Sequence, residues 1–196
     1  MNYETYQTSR NAAWEILLAC GVKKLPVDLN AVVQHLGVRV YAYSRCRELL
    51  EDTGLEAVAR QASGLTFYSG DQPVILYNDG ETPQRIRFTV GHELGHLVLD
   101  HIRPGDHTTQ NREPQLGDSP MEQAANRFAA DLLAPACVLW GLGLHSPEEI
   151  GEICKISIQA ARFRAERMEI LYRRDKFLLH PLERAVYRQF GPYIRG

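Results

Sequence analysis

The sequence predicts an α+β fold that is mostly helical, with a small, largely antiparallel sheet of about three strands. Segments with helical periodicity lie near both ends of the chain, and three short segments rich in β-branched and aromatic residues lie between them. A chain of 196 residues, of which 44% are hydrophobic, is long enough to bury one core. We therefore expect one domain, or one domain with an appendage, built around a short sheet.

Composition and charge exclude several classes of protein. A formal net charge of -2 offers no general attraction to nucleic acid or membranes. No stretch approaches the roughly 20 apolar residues that cross a bilayer, and the first residues do not resemble a secretion signal. The cysteines contain no Cys-x-x-Cys pair, which favours reduced and mostly buried thiols: Cys20, Cys46, Cys137 and Cys154. These features predict a cytoplasmic protein without a membrane segment.

The predicted helices of the first third are bounded by typical end signals. The segment NAAWEILLACG is amphipathic and stops at Gly21, and PVDLNAVVQHLG is capped by Asp28 and ends at Gly37. A short helix is expected over residues 55–61. A further helix, which begins after the N-cap Thr82, carries the sequence RIRFTVGHELGHLVLDH.

The predicted strands fall between these helices. VRVYAYS alternates apolar and polar residues, and LTFYSGDQPVILYND contains two apolar runs separated by a turn at Gly70. The strand PVILYND directly precedes the HELGH helix, so we expect its edge to be available for an extended peptide.

The second half is predicted to be helical after a long polar loop. This loop runs from Ile102 to Pro120 and has no apolar periodicity. The helix PMEQAANRFAADLLAP follows, and the last helical segment divides near Lys155. We expect residues 1–140 to form the domain that carries the HELGH motif, and residues 141–196 to form a C-terminal helical extension.

The sequence GHELGH, residues 91–96, has the spacing of a metal site. On a helix, His92 and His96 differ by about 40° in direction and can bind one ion. Glu93 points about 100° from His92, beside the ion, where it can take a proton from water. The alternative is a helix with two chance histidines. We favour the metal site because the flanking apolar residues predict burial, and buried histidines and carboxylates need partners.

A third ligand must come from another helix. A histidine six residues after His96 would complete one common pattern, but Ile102 occupies that position. Glu122 lies in the apolar stripe of the next long helix and is the best candidate. The alternative role for Glu122 is a capping box with Ser119.

Other polar residues near the motif have more than one candidate role. Asn126 can accept the free N–H of a ligand histidine, although it could also be a buried asparagine bonded to the main chain. Asp100, His101 and His107 are weaker ligand candidates, and His107 is expected to be a loop residue. For stabilising an oxyanion, His101 and Tyr68 are the candidates.

Three segments together resemble the ImmA/IrrE family of metallopeptidases: LPVDLNAVVQHLGVRV, RIRFTVGHELGHLVLDH and EQAANRFAADLLAP. HELGH alone occurs in several unrelated zinc proteases, but its combination with the third segment is specific. The resemblance implies a minimal zincin-like core, with one Zn²⁺ or another divalent metal held by His92, His96 and Glu122, and with Glu93 as general base. Ala124 replaces a residue that is often acidic in the family.

The same resemblance implies a zinc-dependent endopeptidase that cleaves a helix-turn-helix transcriptional repressor in a phage, mobile-element or stress-response switch. One alternative is an anti-repressor that inactivates its partner by binding without cleavage. Glu93 argues against that alternative, because a structural zinc site needs no base. A hydrolase for another amide, or a toxin-like protease, is a further alternative.

The C-terminal helices raise the alternative of a DNA-binding regulator. A short helix, a break and a helix with Arg162, Arg164 and Arg167 have the outline of a helix-turn-helix. Because Glu166 and Glu169 lie among them, we favour a solvated, salt-bridged face. If these helices bind a partner, the repressor is expected rather than DNA.

Overall fold

A computed structural model describes residues 3–52, 55–104 and 119–196. The strands are β1 (Arg39–Ala42), β2 (Gly64–Ser69) and β3 (Gln72–Tyr77), and a 3-10 turn covers Tyr43–Arg45. The helices are α1 (Tyr3–Ala19), α2 (Leu29–His35), α3 (Arg47–Asp52), α4 (Glu56–Ala59), α5 (Pro83–Val98), α6 (Pro120–Leu133), α7 (Ala136–Gly141), α8 (Pro147–Cys154), α9 (Ile158–Arg173), α10 (Pro181–Gln189) and α11 (Gly191–Ile194). None of the helices in these ranges is long and apolar enough to span a membrane.

The sheet confirms the predicted α+β class and the number of strands, but it is mixed. The strand order is β1-β3-β2. β2 and β3 are antiparallel because only Gly70 and Asp71 separate them, and Gly70 adopts the positive φ of 62° that such a hairpin requires. β1 pairs parallel with β3, since the chain between them first forms α3, α4 and β2.

This strand order overturns the expectation that PVILYND offers an edge to an extended peptide. Ile75 of β3 lies opposite Val40 of β1 on one side and Thr66 of β2 on the other. The main-chain groups on both sides of β3 are therefore paired within the sheet. The edge strands of the described sheet are β1 and β2.

Helix ends follow the signals in the sequence closely. The side chains of Asp28, Thr82 and Ser119 accept hydrogen bonds from the first turns of α2, α5 and α6. Lys155 adopts a positive φ of 54° and separates α8 from α9. The beginning of α1, the 3-10 turn and α3 were not predicted. Residues 105–118, which include His107 and most of the predicted loop, lie outside the described residues.

One large apolar core joins helices from both halves of the chain. Its fully buried members include Leu17, Leu94, Phe128, Ile150 and Phe190. A second, smaller cluster covers the opposite face of the sheet and consists of Leu50, Leu55, Leu65, Phe67, Val74 and Leu76. The division of the chain at residue 141 stays a prediction.

A buried ion pair connects α9 to α6. Arg164 donates to Asp131 Oδ1 at 2.7 Å and to the Ala130 carbonyl at 2.8 Å, and the side chains of the pair are 4% and 5% exposed. The expectation that Arg164 belongs to a solvated face is therefore wrong. It lies on the face of α9 that packs towards α6, whereas Arg162 is exposed.

Helices α5 and α6 approach each other closely at a glycine. A Cβ atom at Gly95 would lie 3.0 Å from the Cα of Ala125 and 3.1 Å from its carbonyl oxygen. At Gly91 the nearest atom would be a methyl group of Leu133 at 3.4 Å, an ordinary contact. Gly95 thus sets the distance between the two helices.

We expect Gly95→Ala to destabilise the protein and Gly91→Ala to be neutral or slightly stabilising. Alanine gains about 1 kcal/mol in helix propensity at either position. At Gly95 the added methyl group must push the α6 backbone away, and overpacking of this kind costs about 1–3 kcal/mol. Urea unfolding of both variants in the presence of a chelator measures the difference. Equal free energies of unfolding would contradict the close approach.

Candidate metal centre

The three predicted metal ligands come together between α5 and α6. His92 and His96 lie one turn apart on α5, and their Nε2 atoms are 3.0 Å from each other. Glu122, in the first turn of α6, places its two carboxylate oxygens 3.1 Å from His92 Nε2 and 3.2 Å from His96 Nε2. Ser119 caps α6 by accepting the N–H of Glu122, so capping leaves the carboxylate directed at the histidines.

The donor set fits a zinc ion. Two imidazole nitrogens and one carboxylate oxygen lie within 4.8 Å of one another. Zinc binds such ligands at about 2.0–2.2 Å in a tetrahedron, which separates neighbouring donors by about 3.3 Å. A set of three protein ligands leaves the fourth position open, as in catalytic rather than structural zinc sites.

Each of the two clustered histidines has a partner on its other ring nitrogen. Asn126 Oδ1 lies 2.9 Å from His92 Nδ1, and Asn126 is exposed rather than buried. His101 Nδ1 lies 3.3 Å from His96 Nδ1. Such contacts select the tautomer in which Nε2 is free to bind a metal. Asn126 was a predicted partner, whereas the contact between His101 and His96 was not predicted.

The end of α5 explains how His101 reaches His96. Asp100 adopts a positive φ of 57°, and the N–H of His101 bonds the His96 carbonyl at 2.9 Å. The chain therefore turns back over the last turn of the helix. The carboxylate of Asp100 bonds Arg103 instead of joining the cluster. Neither Asp100 nor His101 belongs to the three-residue cluster.

Glu93 is buried beside this cluster and is held by the sheet. Glu93 is 4% exposed, and the Thr66 hydroxyl donates a hydrogen bond to its Oε2 atom. A Cβ atom at Gly64 would lie 3.0 Å from Glu93 Cγ and 2.5 Å from a methyl group of Thr89, so glycine leaves room for the carboxylate. The sequence analysis did not predict the contact between Thr66 and Glu93. The position of the Thr66 hydroxyl between the apolar residues Leu65 and Phe67 could have indicated a polar partner on that face of β2.

The charges of the cluster shift the pKa values of its members. Burial opposes ionisation of Glu122, but hydrogen bonds with His92 and His96 outweigh it and lower the pKa of the carboxyl. Burial also opposes protonation of His92, but the bond with Glu122 and the charge of Glu93 raise its pKa. Burial and the neighbouring His96 lower the pKa of His101 to about 4. At neutral pH a neutral His101 can accept an N–H from His96.

Tyr68 and His101, the two candidates for stabilising an oxyanion, lie in different parts of the structure. Tyr68 is on β2, two residues from Thr66 and on the same face of the sheet, and it is half-buried. His101 has one ring nitrogen directed at His96. The role of either residue in stabilising an oxyanion stays a prediction.

A comparison of the sequence with known protein families identifies the family to which this chain belongs. Residues 35–171 match the family Peptidase_M78, described as the IrrE N-terminal-like domain, which confirms the resemblance to ImmA/IrrE. The matched range contains the three clustered residues and Glu93. No curated protein matches the chain significantly. Because the match spans well over half of the 196 residues, the chain belongs to the Peptidase_M78 family and contains its IrrE N-terminal-like domain.

Proposed function

We propose that this protein is a zinc-dependent endopeptidase that cleaves a helix-turn-helix transcriptional repressor. The observation that carries the proposal is a carboxylate, Glu93, that is buried beside three convergent ligands without being one of them. A site that only stabilised the fold would have no use for this carboxylate. The peptidase family supports hydrolysis of a peptide bond, and the resemblance to repressor-cleaving proteins supports the substrate.

Each residue then has a defined task. His92, His96 and Glu122 would hold the ion, and Asn126 and His101 would keep the two imidazoles in the correct tautomer. Zinc, when bound, is a Lewis acid that polarises a carbonyl and makes water nucleophilic at neutral pH. Glu93 would take the proton of the attacking water and return it to the leaving amine. Thr66 would fix the carboxylate of Glu93 through Oε2.

Strand β2 is the best place for an extended substrate. It is an edge strand of the described sheet, and its Thr66 contacts the proposed base. An added peptide strand would gain main-chain hydrogen bonds there while its backbone passed the metal cluster. β1, at the opposite edge, has no comparable contact among the residues that the structure describes.

Replacing the base tests the proposed chemistry. We expect Glu93→Gln to retain zinc and to cleave a helix-turn-helix repressor about 10²–10⁴-fold more slowly than the wild type does, because general acid–base catalysis contributes that factor. Cleavage by the wild type should produce a discrete cut, identified by mass spectrometry, and should stop on chelation. If both proteins relieve repression equally without cleavage, the protein acts as a binding anti-repressor.

Replacing the histidine partners tests the ligand assignment without requiring activity. We expect His101→Ala and Asn126→Ala each to weaken zinc binding by roughly 10–100-fold, the usual effect of removing such a partner. Competition with a chromogenic chelator measures the affinity. His35→Ala, at an exposed position on α2, serves as the matched control. Unchanged affinity in both variants would show that the two contacts do not support the ligands.

Photo-crosslinking tests the substrate edge. A benzoylphenylalanine at Tyr68 of β2, in a Glu93→Gln background, should crosslink to the repressor, because the bound segment lies along this strand. The same group at Tyr41 of β1, which is 40% exposed, should not. Crosslinking only from Tyr41 would place the substrate at the other edge of the sheet.

A further inference from the structure

The end of the chain is basic, although the whole chain has a formal charge of -2. Residues 173–196 contain six lysine and arginine residues against two acidic residues, Asp175 and Glu183. All six basic residues are exposed: Arg173, Arg174, Lys176, Arg184, Arg188 and Arg195. The family match ends at residue 171, so this basic segment lies outside the matched range. The rest of the chain is correspondingly acidic.

Helix α10 turns its arginines to solvent and its acidic residue to the core. Glu183 is 6% exposed, and its carboxylate accepts the N–H of Leu179. Arg184 and Arg188 are exposed and lie four residues apart, so they share one face of the helix. Val186, on another face, is fully buried in the main core. The solvent face of α10 therefore carries positive charge only.

The turn before α10 adds basic residues to this face. Arg184 donates to the carbonyls of Leu178 and Leu179 at 3.1 Å and 2.9 Å, which holds the turn against the helix. Lys176 and Arg174 are two and four residues from Leu178, so their Cα atoms lie at most about 7 Å and about 14 Å from it. We call Arg174, Lys176, Arg184 and Arg188 the C-terminal basic surface.

A histidine at the start of α10 reports positive charge at this place. Burial and the charges of Arg10 and Arg184 lower the pKa of His180. Arg10 belongs to α1, where it bonds Asn11 and lies over the ring of Trp14 at 4.5 Å. The rings of Trp14 and His180 are 5.7 Å apart. Helix α1 thus contributes a further positive charge next to the C-terminal basic surface.

The charge of this surface is not neutralised by its surroundings. None of its four residues forms an ion pair with a residue that the structure describes. Asp175 is the one exposed acidic residue between Arg173 and Gly196, so a net positive charge remains. At physiological ionic strength, exposed charges more than about 8 Å away are largely screened. The acidic remainder of the chain therefore does not cancel the surface, and charge complementarity favours a polyanion.

The side chains on this surface suit a nucleic acid better than a membrane or a protein. A helix that lies on a membrane needs an apolar face towards the lipid, but the exposed face of α10 carries arginines. A protein interface has an apolar centre, but Leu179 is the only exposed large hydrophobic residue in the segment 173–196. Contacts to nucleic acid consist largely of lysine and arginine bonded to phosphates.

We propose that the C-terminal basic surface binds the phosphate backbone of double-stranded DNA. The choice of DNA among nucleic acids rests on the proposed function, because the proposed substrate is a DNA-binding repressor. Backbone contacts of this kind do not read sequence, and they would hold the protein on the DNA that carries its substrate. The sequence alone favours the repressor over DNA as a partner of these helices; the inward position of Glu183, which only the structure shows, favours DNA.

Fluorescence anisotropy tests the binding without requiring activity. The probe is a fluorescein-labelled DNA duplex of arbitrary sequence and about two turns, or roughly 20 base pairs, mixed with the full-length protein and a chelator. We expect saturable binding that weakens with salt, with a log–log slope of about 0.9 for each phosphate contact. Arg174→Gln together with Arg188→Gln should reduce that slope by about 1.8 and weaken binding roughly 10–100-fold at about 0.1 M salt.

A matched control removes the same charge elsewhere. Arg45→Gln together with Arg162→Gln also replaces two exposed arginines. Arg45 follows β1, between residues that pack against the smaller apolar cluster, and Arg162 is about 16 Å along α9 from Arg173. This control should bind DNA like the wild type. If it loses as much affinity as the first double variant, or more, the C-terminal basic surface is not the binding site. Circular dichroism and the Tm of each variant report whether it is folded.

Competitors and cleavage assays separate the remaining outcomes. If duplex RNA, a polyglutamate peptide or phosphatidylserine vesicles displace the probe at a lower concentration of negative charge than unlabelled DNA does, DNA is not the partner. If the wild type cleaves the repressor but does not bind DNA, the inference is wrong and the peptidase stands. If DNA binding requires this surface but the zinc-loaded protein cleaves no repressor, the proposed function fails and the DNA-binding surface stands.

Discussion

The close approach of α5 and α6 at Gly95 is the constraint on which the site depends. Glu122 can contact both histidines only if the first turn of α6 lies against the last two turns of α5. A side chain at Gly95 would meet the Ala125 backbone and separate the helices. The apolar residues on these helices, such as Leu94 and Phe128, then hold the spacing through the main core.

This packing also buries polar side chains that need hydrogen-bonding or charged partners. His96 and Glu93 are 3% and 4% exposed, and buried polar groups of this kind destabilise a fold unless they have partners. His101 contacts His96 from the residues after α5, and Thr66 of β2 donates to Glu93. The Nε2 atoms of His92 and His96 and the carboxylate of Glu122 converge as acceptors, an arrangement that a cation would satisfy.

Local signals predicted much of this arrangement, and contacts between distant residues explain what they missed. The spacing of His92 and His96 fixes their common face, and N-cap residues such as Thr82 fix where helices begin. Strand order depends on pairing between distant segments, so the central position of β3 could not be inferred from its own sequence. The contact of Thr66 with Glu93 and the burial of Arg164 also depend on contacts between segments that are distant in the sequence.

The hydrogen bond that positions Glu93 comes from Thr66 of strand β2. The opposite face of β2 packs in the smaller of the two apolar clusters among the described residues. Thr66 faces α5, while its neighbours Leu65 and Phe67 pack among the six buried residues around α3 and α4. Less buried apolar surface gives a lower free energy of local opening. Transient opening of that core would free the carboxylate of Glu93 while the main core and the three clustered residues stayed in place. Under the proposed function, the protein would then lose the position of its general base at a lower free-energy cost than global unfolding and would keep its capacity to bind metal.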